Sequence, residues 1–328
     1  MIAIVFIAIA AGCASALMFA SIISGALISL MLFYLAPLPL MVAALGWGPL
    51  SSTIGGIAAA TGLGAVFGFP YCIAFVVMVA LPAWWLGHLS LLGRPIASAV
   101  TPGAGALPAT PDLEWYPVGR ILLWIAGMAA LTTMAALLTL GFEAGTISGT
   151  LRRGLAEIIQ IIRPSEVDST ADSGRLIDAL VTIAPLAAVA VTTTTLTVNL
   201  WLSAKIAATS GRLHRPWPDL KSAALPATTV AALCAAIAFC FAGGLLAMLA
   251  QIVVAALAMA YAFLGFAVLH TLTLLVKGRA LWLGCAYTIA FALIWPVVAL
   301  VLLGLADAVF GIRRRYSQAR PPPAMPAS

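Results

Sequence analysis

Long uncharged apolar runs follow one another along the whole chain, separated by short clumps of charge. A bilayer core about 30 Å thick is crossed by a helix of about 20 residues, and most of these runs reach that length. The strict alternation typical of lipid-facing strands is missing, so the pattern predicts helices. The predicted spans cover residues 2–20, 24–45, 51–67, 71–92, 118–140, 177–206, 223–241, 245–276 and 281–306.

The number of spans is left open between eight and nine. Residues 177–206 and 245–276 exceed the length that a bilayer needs, so these helices are expected to tilt, kink or protrude. The sequence "APLP" at residues 36–39 either interrupts a span or lies at its mouth. The predicted fold class is an all-α, polytopic transmembrane helix bundle of about eight to nine spans with one amphipathic interfacial helix.

The predicted organisation follows the charge clumps. The amphipathic helix comes from Ile147, Leu151, Leu155, Ile158, Ile159 and Ile162, which recur at helical spacing. This helix is expected to lie in the headgroup plane, to dock a partner, or to pack on its own bundle. The segments are an N-terminal four-span bundle (1–92), a Pro/Gly-rich loop (93–117), a fifth span (118–140), the amphipathic helix with an acidic linker (143–175), C-terminal spans (177–311) and a basic, then Pro-rich, disordered tail (312–328).

Composition agrees with this class, because 63% of the 328 residues are hydrophobic and 8% are charged. Ordinary soluble domains have about 25% charged residues. The five cysteines all lie in apolar runs without C-x-x-C spacing, so we expect packing roles and neither a metal site nor disulfides. Residues 1–10 contain no basic residue, which favours a retained first span over a cleaved signal.

Sequence motifs of catalysis are absent. The chain contains no G-x-S-x-G, no H-E-x-x-H and no phosphate-binding G-x-x-x-x-G-K-[ST]. We therefore expect no enzymatic activity, no cofactor and no nucleic-acid partner. The lipid bilayer is the expected environment, and active transport would require a separate ATPase or an ion gradient.

Polar side chains are concentrated in one apolar run, "VTTTTLTVNLW" (191–201). Thr192, Thr195, Asn199 and Ser203 fall within about 80° of one another on a helix. A threonine hydroxyl can bond the carbonyl one turn back, whereas an asparagine in lipid needs an interhelical partner or water. The stripe is therefore either structural or the lining of a polar path. The candidate substrate-binding residues are Thr192, Thr195, Asn199, Gln251 and His270.

Charged residues near the end of the last span suggest ion pairing. Asp307 precedes the basic cluster that contains Arg313 and Arg314, so an interfacial ion pair competes with a transport role for this aspartate. With nine spans, eight Lys and Arg residues lie on one face of the membrane and eight on the other. If the last apolar run turns back near Pro296, the division becomes twelve on one face and four on the other. The dense 313–315 cluster favours a cytoplasmic C-terminus.

Small residues recur at four-residue spacing on the first span, at Ala8, Gly12, Ala16 and Ala20. Glycines and alanines are also frequent over residues 55–68 in the third span. Such ridges allow two helices to approach closely. We expect ordinary helix packing from them.

Several segments resemble a known family. "VNLWLSAKI" (198–206), "RPWPDLKSAALP" (215–226), "AYAFLGFAVLH" (260–270) and "LGLADAVFGIRRR" (303–315) resemble the YybS-like family of bacterial membrane proteins. "PLPLMVAALGWGPLSSTIGGIAAATGLG" (37–64) looks like the early spans of the substrate-binding components of energy-coupling-factor vitamin transporters. The resemblance implies a membrane subunit that binds a small nutrient and works with a separate ATPase module and a coupling subunit.

Two functions follow as hypotheses. The first is a small-molecule-binding or transport component of the bacterial inner membrane. The alternative is a non-transporting scaffold whose amphipathic helix and basic loops recruit protein partners or anionic lipid.

Overall fold

The computed structural model describes residues 2–95, 113–162, 171–217 and 223–318. Almost all of these residues are helical, which confirms the predicted all-α class. The only sheet in this part of the chain is an antiparallel pair, β1 (Gly93–Pro95) with β2 (Leu113–Trp115). Most of the predicted Pro/Gly-rich loop and acidic linker, and the Pro-rich end of the tail, lie outside the described residues.

Apolar runs form the helices, and glycine and proline set many of their ends. A 3₁₀ turn follows α1 at Ser21–Ser24, a π-helical turn at Val76–Ala80 joins α5 to α6, and a 3₁₀ turn at Thr273–Leu275 follows α11. The helices are α1 (Ile2–Ala20), α2 (Leu27–Leu35), α3 (Pro37–Trp47), α4 (Pro49–Phe67), α5 (Phe69–Phe75), α6 (Leu81–Ser90), α7 (Val118–Leu138), α8 (Ala144–Ile162), α9 (Ala171–Thr209), α10 (Thr228–Phe239), α11 (Gly244–Leu272), α12 (Arg279–Ala292), α13 (Ile294–Phe310) and α14 (Ile312–Gln318).

Seven helical segments of the described chain are long and apolar enough to cross a membrane, and an eighth is counted if α12 and α13 form one bent span. The run predicted at 223–241 forms only α10, whose 12 residues extend about 18 Å. That length is too short to cross the bilayer core alone. The seven segments are Ile2–Ser24, Leu27–Trp47, Pro49–Phe67, Phe69–Ser90, Val118–Leu138, Gly174–Thr209 and Gly244–Leu272.

The last apolar run is not one straight helix. Leu293 is extended, with φ −129° and ψ 145°, and the helix axes on either side of the break differ by 115°. Pro296 lacks the N–H that would bond the Ala292 carbonyl in a continuous helix, and its ring would clash with that carbonyl, which agrees with the end of α12 at Ala292. The run predicted as one span at 281–306 is therefore broken near Pro296.

The chain divides into two compact units, the first made of Met1–Ile125 and Thr194–Pro218. Within it, α1 crosses α4 with almost no space between the two backbones. A Cβ added to Gly12 would lie 2.2 Å from the Gly55 carbonyl oxygen, and one added to Gly55 would lie 2.3 Å from the Ala8 carbonyl oxygen. The small residues noted on the first and third spans thus form one close helix crossing.

The second unit consists of Ala126–Thr193 and Asp219–Ser328. Its most extensive helix pair is α11 with α13, which meet through Gly265 and Gly304. The predicted amphipathic helix is α8, in which Ile147 is buried while Ile158 and Ile161 are exposed. An exposed ion pair between Arg152 and Asp178 connects α8 to α9.

Candidate functional site

An interruption between α2 and α3 forms the core of the candidate site in the first unit. Pro37 and Pro39 have no backbone N–H, so the helical hydrogen-bond ladder is incomplete there. The Ala36 carbonyl accepts a hydrogen bond from the buried Ser15 hydroxyl of α1. Side chains from neighbouring helices thus satisfy backbone carbonyls that would be costly to leave unpaired in hydrocarbon.

Asn199 of α9 makes the second such contact. Its Nδ2 donates to the Tyr34 carbonyl and to the Thr195 carbonyl, each at 2.8 Å, and the residue is 1% exposed. Because both partners only accept, the amide orientation is fixed by the hydrogen bonds. Oδ1 is buried and receives no hydrogen bond from the described residues. Asn199 therefore stabilises the helix contact and also presents one buried acceptor.

The other predicted members of the polar stripe are placed differently. The Thr192 hydroxyl donates to the Ala188 carbonyl of its own helix at 2.9 Å. Thr195 is half-buried, and its carbonyl accepts from Asn199. The Ser203 hydroxyl, fully buried, donates to the Leu200 carbonyl at 2.8 Å. Among the candidate residues the structure brings Thr195 and Asn199 together by direct contact.

Gln251 and His270 both belong to α11 and are not brought together. They are 19 positions apart (270 − 251) on one helix, which separates them by about 28 Å. Gln251 is exposed, and His270 is half-buried near the other end. These two side chains cannot line one small cavity.

His270 belongs to a polar cluster of its own in the second unit. Its Nε2 lies 2.8 Å from the Tyr287 hydroxyl, and its Nδ1 lies 3.3 Å from Arg279 Nη2. A guanidinium only donates, so Nδ1 accepts and Nε2 carries the proton that is donated to Tyr287. The Tyr287 ring also stacks on Phe266 with centroids 4.5 Å apart. Sequence inspection did not identify Tyr287 or Arg279, because they follow the end of the His270 helix.

Asp307 and Arg313 form a buried ion pair around the turn from α13 to α14. Arg313 Nε and Nη2 lie 2.8 and 2.7 Å from Asp307 Oδ2, and the Arg313 backbone N–H donates to Oδ1 at 2.9 Å. Arg313 Nη2 also donates to the Ala223 carbonyl at 2.7 Å. Arg314 is exposed. The ion pair therefore stabilises the turn between α13 and α14.

One end of the first unit combines basic and aromatic side chains that sequence inspection did not join. The Arg212 guanidinium lies 5.2 Å from the Trp47 ring centroid, and Lys205 Nζ lies 5.3 Å from that of Trp217. Arg215 donates to the Ser90 and Tyr116 carbonyls at 3.3 and 3.0 Å. Burial lowers the pKa of the Arg215 guanidinium from its ordinary value.

These features define a multi-pass integral membrane protein with polar contacts at helix interruptions and charged groups at span ends. No protein-family model, no curated protein and no solved structure matches the chain. In the part of the chain that the structure describes, no three His, Cys, Asp or Glu side chains are grouped so that they could hold a metal ion.

Proposed function

We propose that this protein is a non-enzymatic small-molecule-binding or transport component of the bacterial inner membrane. The observation that carries the proposal is the buried Asn199 Oδ1, an acceptor without a donor beside the interrupted α2–α3 span. Leaving a buried acceptor unmatched costs about 1–3 kcal/mol. Transport proteins place binding groups beside interrupted membrane helices.

The chemistry of this acceptor restricts the ligand. The ligand supplies an N–H or O–H group to Asn199 Oδ1, and most of its remaining surface is apolar, as is general for small-molecule sites. The resemblance to energy-coupling-factor binding components supports a division of labour in which this chain holds the cargo. A separate ATPase with a coupling subunit then supplies the energy.

Asn199→Leu is the test of this site. The variant removes Oδ1 together with the Nδ2 bond to Tyr34, so we expect loss of the co-purified small molecule and a modestly lower thermal unfolding midpoint. Mass spectrometry of small molecules bound to the purified full chain measures the first effect. Fluorescence-detected unfolding in detergent measures the second.

Ser15→Ala is the matched control. It removes the other side-chain hydrogen bond to the α2–α3 interruption, at Ala36, and leaves Asn199 intact. A similar loss of stability of about 1 kcal/mol is expected, with the small molecule retained. If wild type and both variants carry the same molecules, Asn199 is only a structural contact and the proposed site is refuted.

The charge distribution of the first unit predicts its orientation. Residues 1–93 contain no charged side chain, so the turn at residues 21–26 and the turn at Gly68 are uncharged. The opposite end carries the described basic residues of the unit, and Lys and Arg accumulate in cytoplasmic loops. That end is therefore proposed to be cytoplasmic. Its basic residues are Arg94, Arg120, Lys205, Arg212 and Arg215.

Cysteine labelling measures this orientation. In a chain whose five native cysteines are replaced by alanine, Ala26→Cys is expected to react with a membrane-impermeant maleimide in intact spheroplasts. Ser210→Cys is expected to react only after the membrane is permeabilised. The reverse pattern would contradict the orientation.

A further inference from the structure

An apolar groove of about 430 Å³ runs along the surface of the first unit between α1, α3 and α9. All its lining residues are hydrocarbon or aromatic, and they include Ile7, Ala10, Val42, Trp47 and Ile206. Except at its end, the groove contains no side-chain group that needs a hydrogen-bond partner. An extended hydrocarbon chain therefore fits its chemistry.

A cationic side chain lies at one end of the groove. Trp47 lines the groove and also lies under the Arg212 guanidinium at 5.2 Å. Lys205 directly precedes the lining residue Ile206 on α9. A polar molecule bound at this end would meet the Arg212 guanidinium next to an aromatic ring that prefers the membrane interface.

No carboxylate neutralises these cations in the described part of the first unit. The only acidic residue there is Glu114, and its carboxylate pairs with Arg94 at 2.6 Å. Arg212 and Lys205 each contact a Trp ring and have no acidic partner among the described residues. Their charge is therefore complementary to that of an anion.

We propose that the groove is a binding site for one anionic phospholipid of the surrounding membrane. One acyl chain lies against α1, α3 and α9, and the phosphate lies beside Arg212. A soluble anion would use the cations and leave the apolar groove uncovered, whereas a phospholipid matches both parts. Each cation near the membrane surface strengthens the binding of anionic lipid roughly fivefold.

Native mass spectrometry of the full chain, released from mixed phosphatidylglycerol and phosphatidylcholine nanodiscs, tests the proposal. Arg212→Gln is expected to reduce retained phosphatidylglycerol roughly fivefold and to leave phosphatidylcholine unchanged. Arg212→Lys keeps the charge and is expected to retain most of the phosphatidylglycerol. Arg120→Gln removes an exposed cation that does not line the groove, and it is expected to behave as wild type.

The groove itself is tested by Ala10→Phe, which fills it and is expected to reduce retention of both lipids. Ile9→Phe is the matched control, because Ile9 is exposed on the same helix and does not line the groove.

Excess inorganic phosphate is expected to displace no bound lipid. Displacement by phosphate, equal losses in Arg212→Gln and Arg120→Gln, or a protein partner held there in place of lipid would each overturn the proposal. Neither Asn199 nor Ser15 lines this groove, so this outcome is independent of the proposed cargo site.

Discussion

Arg313→Met is expected to lower the free energy of unfolding by about 3–5 kcal/mol, because the variant leaves the Asp307 carboxylate buried without its cation. Asp307 is 7% exposed and Arg313 is 8% exposed, so water does not replace the lost partner. The variant also removes the donor to the Ala223 carbonyl. Thermal unfolding of the purified protein in detergent should show a midpoint roughly 10 °C lower.

Two comparisons separate burial from charge in this result. Asp307→Leu combined with Arg313→Met replaces the pair by apolar groups and is expected to cost much less than Arg313→Met alone. Arg94→Gln breaks an ion pair whose side chains are 81% and 54% exposed, and it is expected to cost less than about 1 kcal/mol. Equal losses in Arg313→Met and Arg94→Gln would contradict a buried structural pair.

Much of the helical framework was predictable from the apolar runs, because a membrane span must satisfy its backbone within one segment. The predicted first span, 2–20, coincides with α1. The predicted length of the span at 223–241 was wrong, because the apolar run continues across residues that are not helical. Helix α10 begins only after Pro226, and a turn that ends at Gly243, with φ 77°, follows it.

The polar contacts were less predictable, since periodicity describes one helix and not the helix beside it. The stripe on α9 placed Thr195 and Asn199 on one face, but the partner of Asn199 is the Tyr34 carbonyl, 165 positions earlier. The contact that places a cation at the end of the groove was unpredictable for the same reason. Arg212 meets Trp47 only when α3 and α9 are adjacent, and nothing local to either residue indicates this contact.

The close crossing of α11 and α13 predicts the second large effect. A Cβ added to Gly265 would lie 2.1 Å from the Leu300 carbonyl oxygen, and one added to Gly304 would lie 2.0 Å from the Tyr261 carbonyl oxygen. Backbone atoms cannot move aside as a flexible side chain can. Gly265→Ala and Gly304→Ala are each expected to cost about 1–3 kcal/mol of unfolding free energy, measured as a lower thermal midpoint in detergent.

Gly127→Ala and Gly154→Ala provide the control, because an added Cβ at either helical position meets no atom within 4 Å. Alanine is a better helix former than glycine by about 1 kcal/mol, so these variants should be neutral or slightly stabilised. The intrinsic preference therefore opposes the loss expected at Gly265, and only steric contact can reverse its sign. Since Gly304 also approaches the Gly265 backbone N, the double variant is expected to cost less than the sum of the single ones. A stabilised Gly265→Ala would show that α11 and α13 do not touch through their backbones.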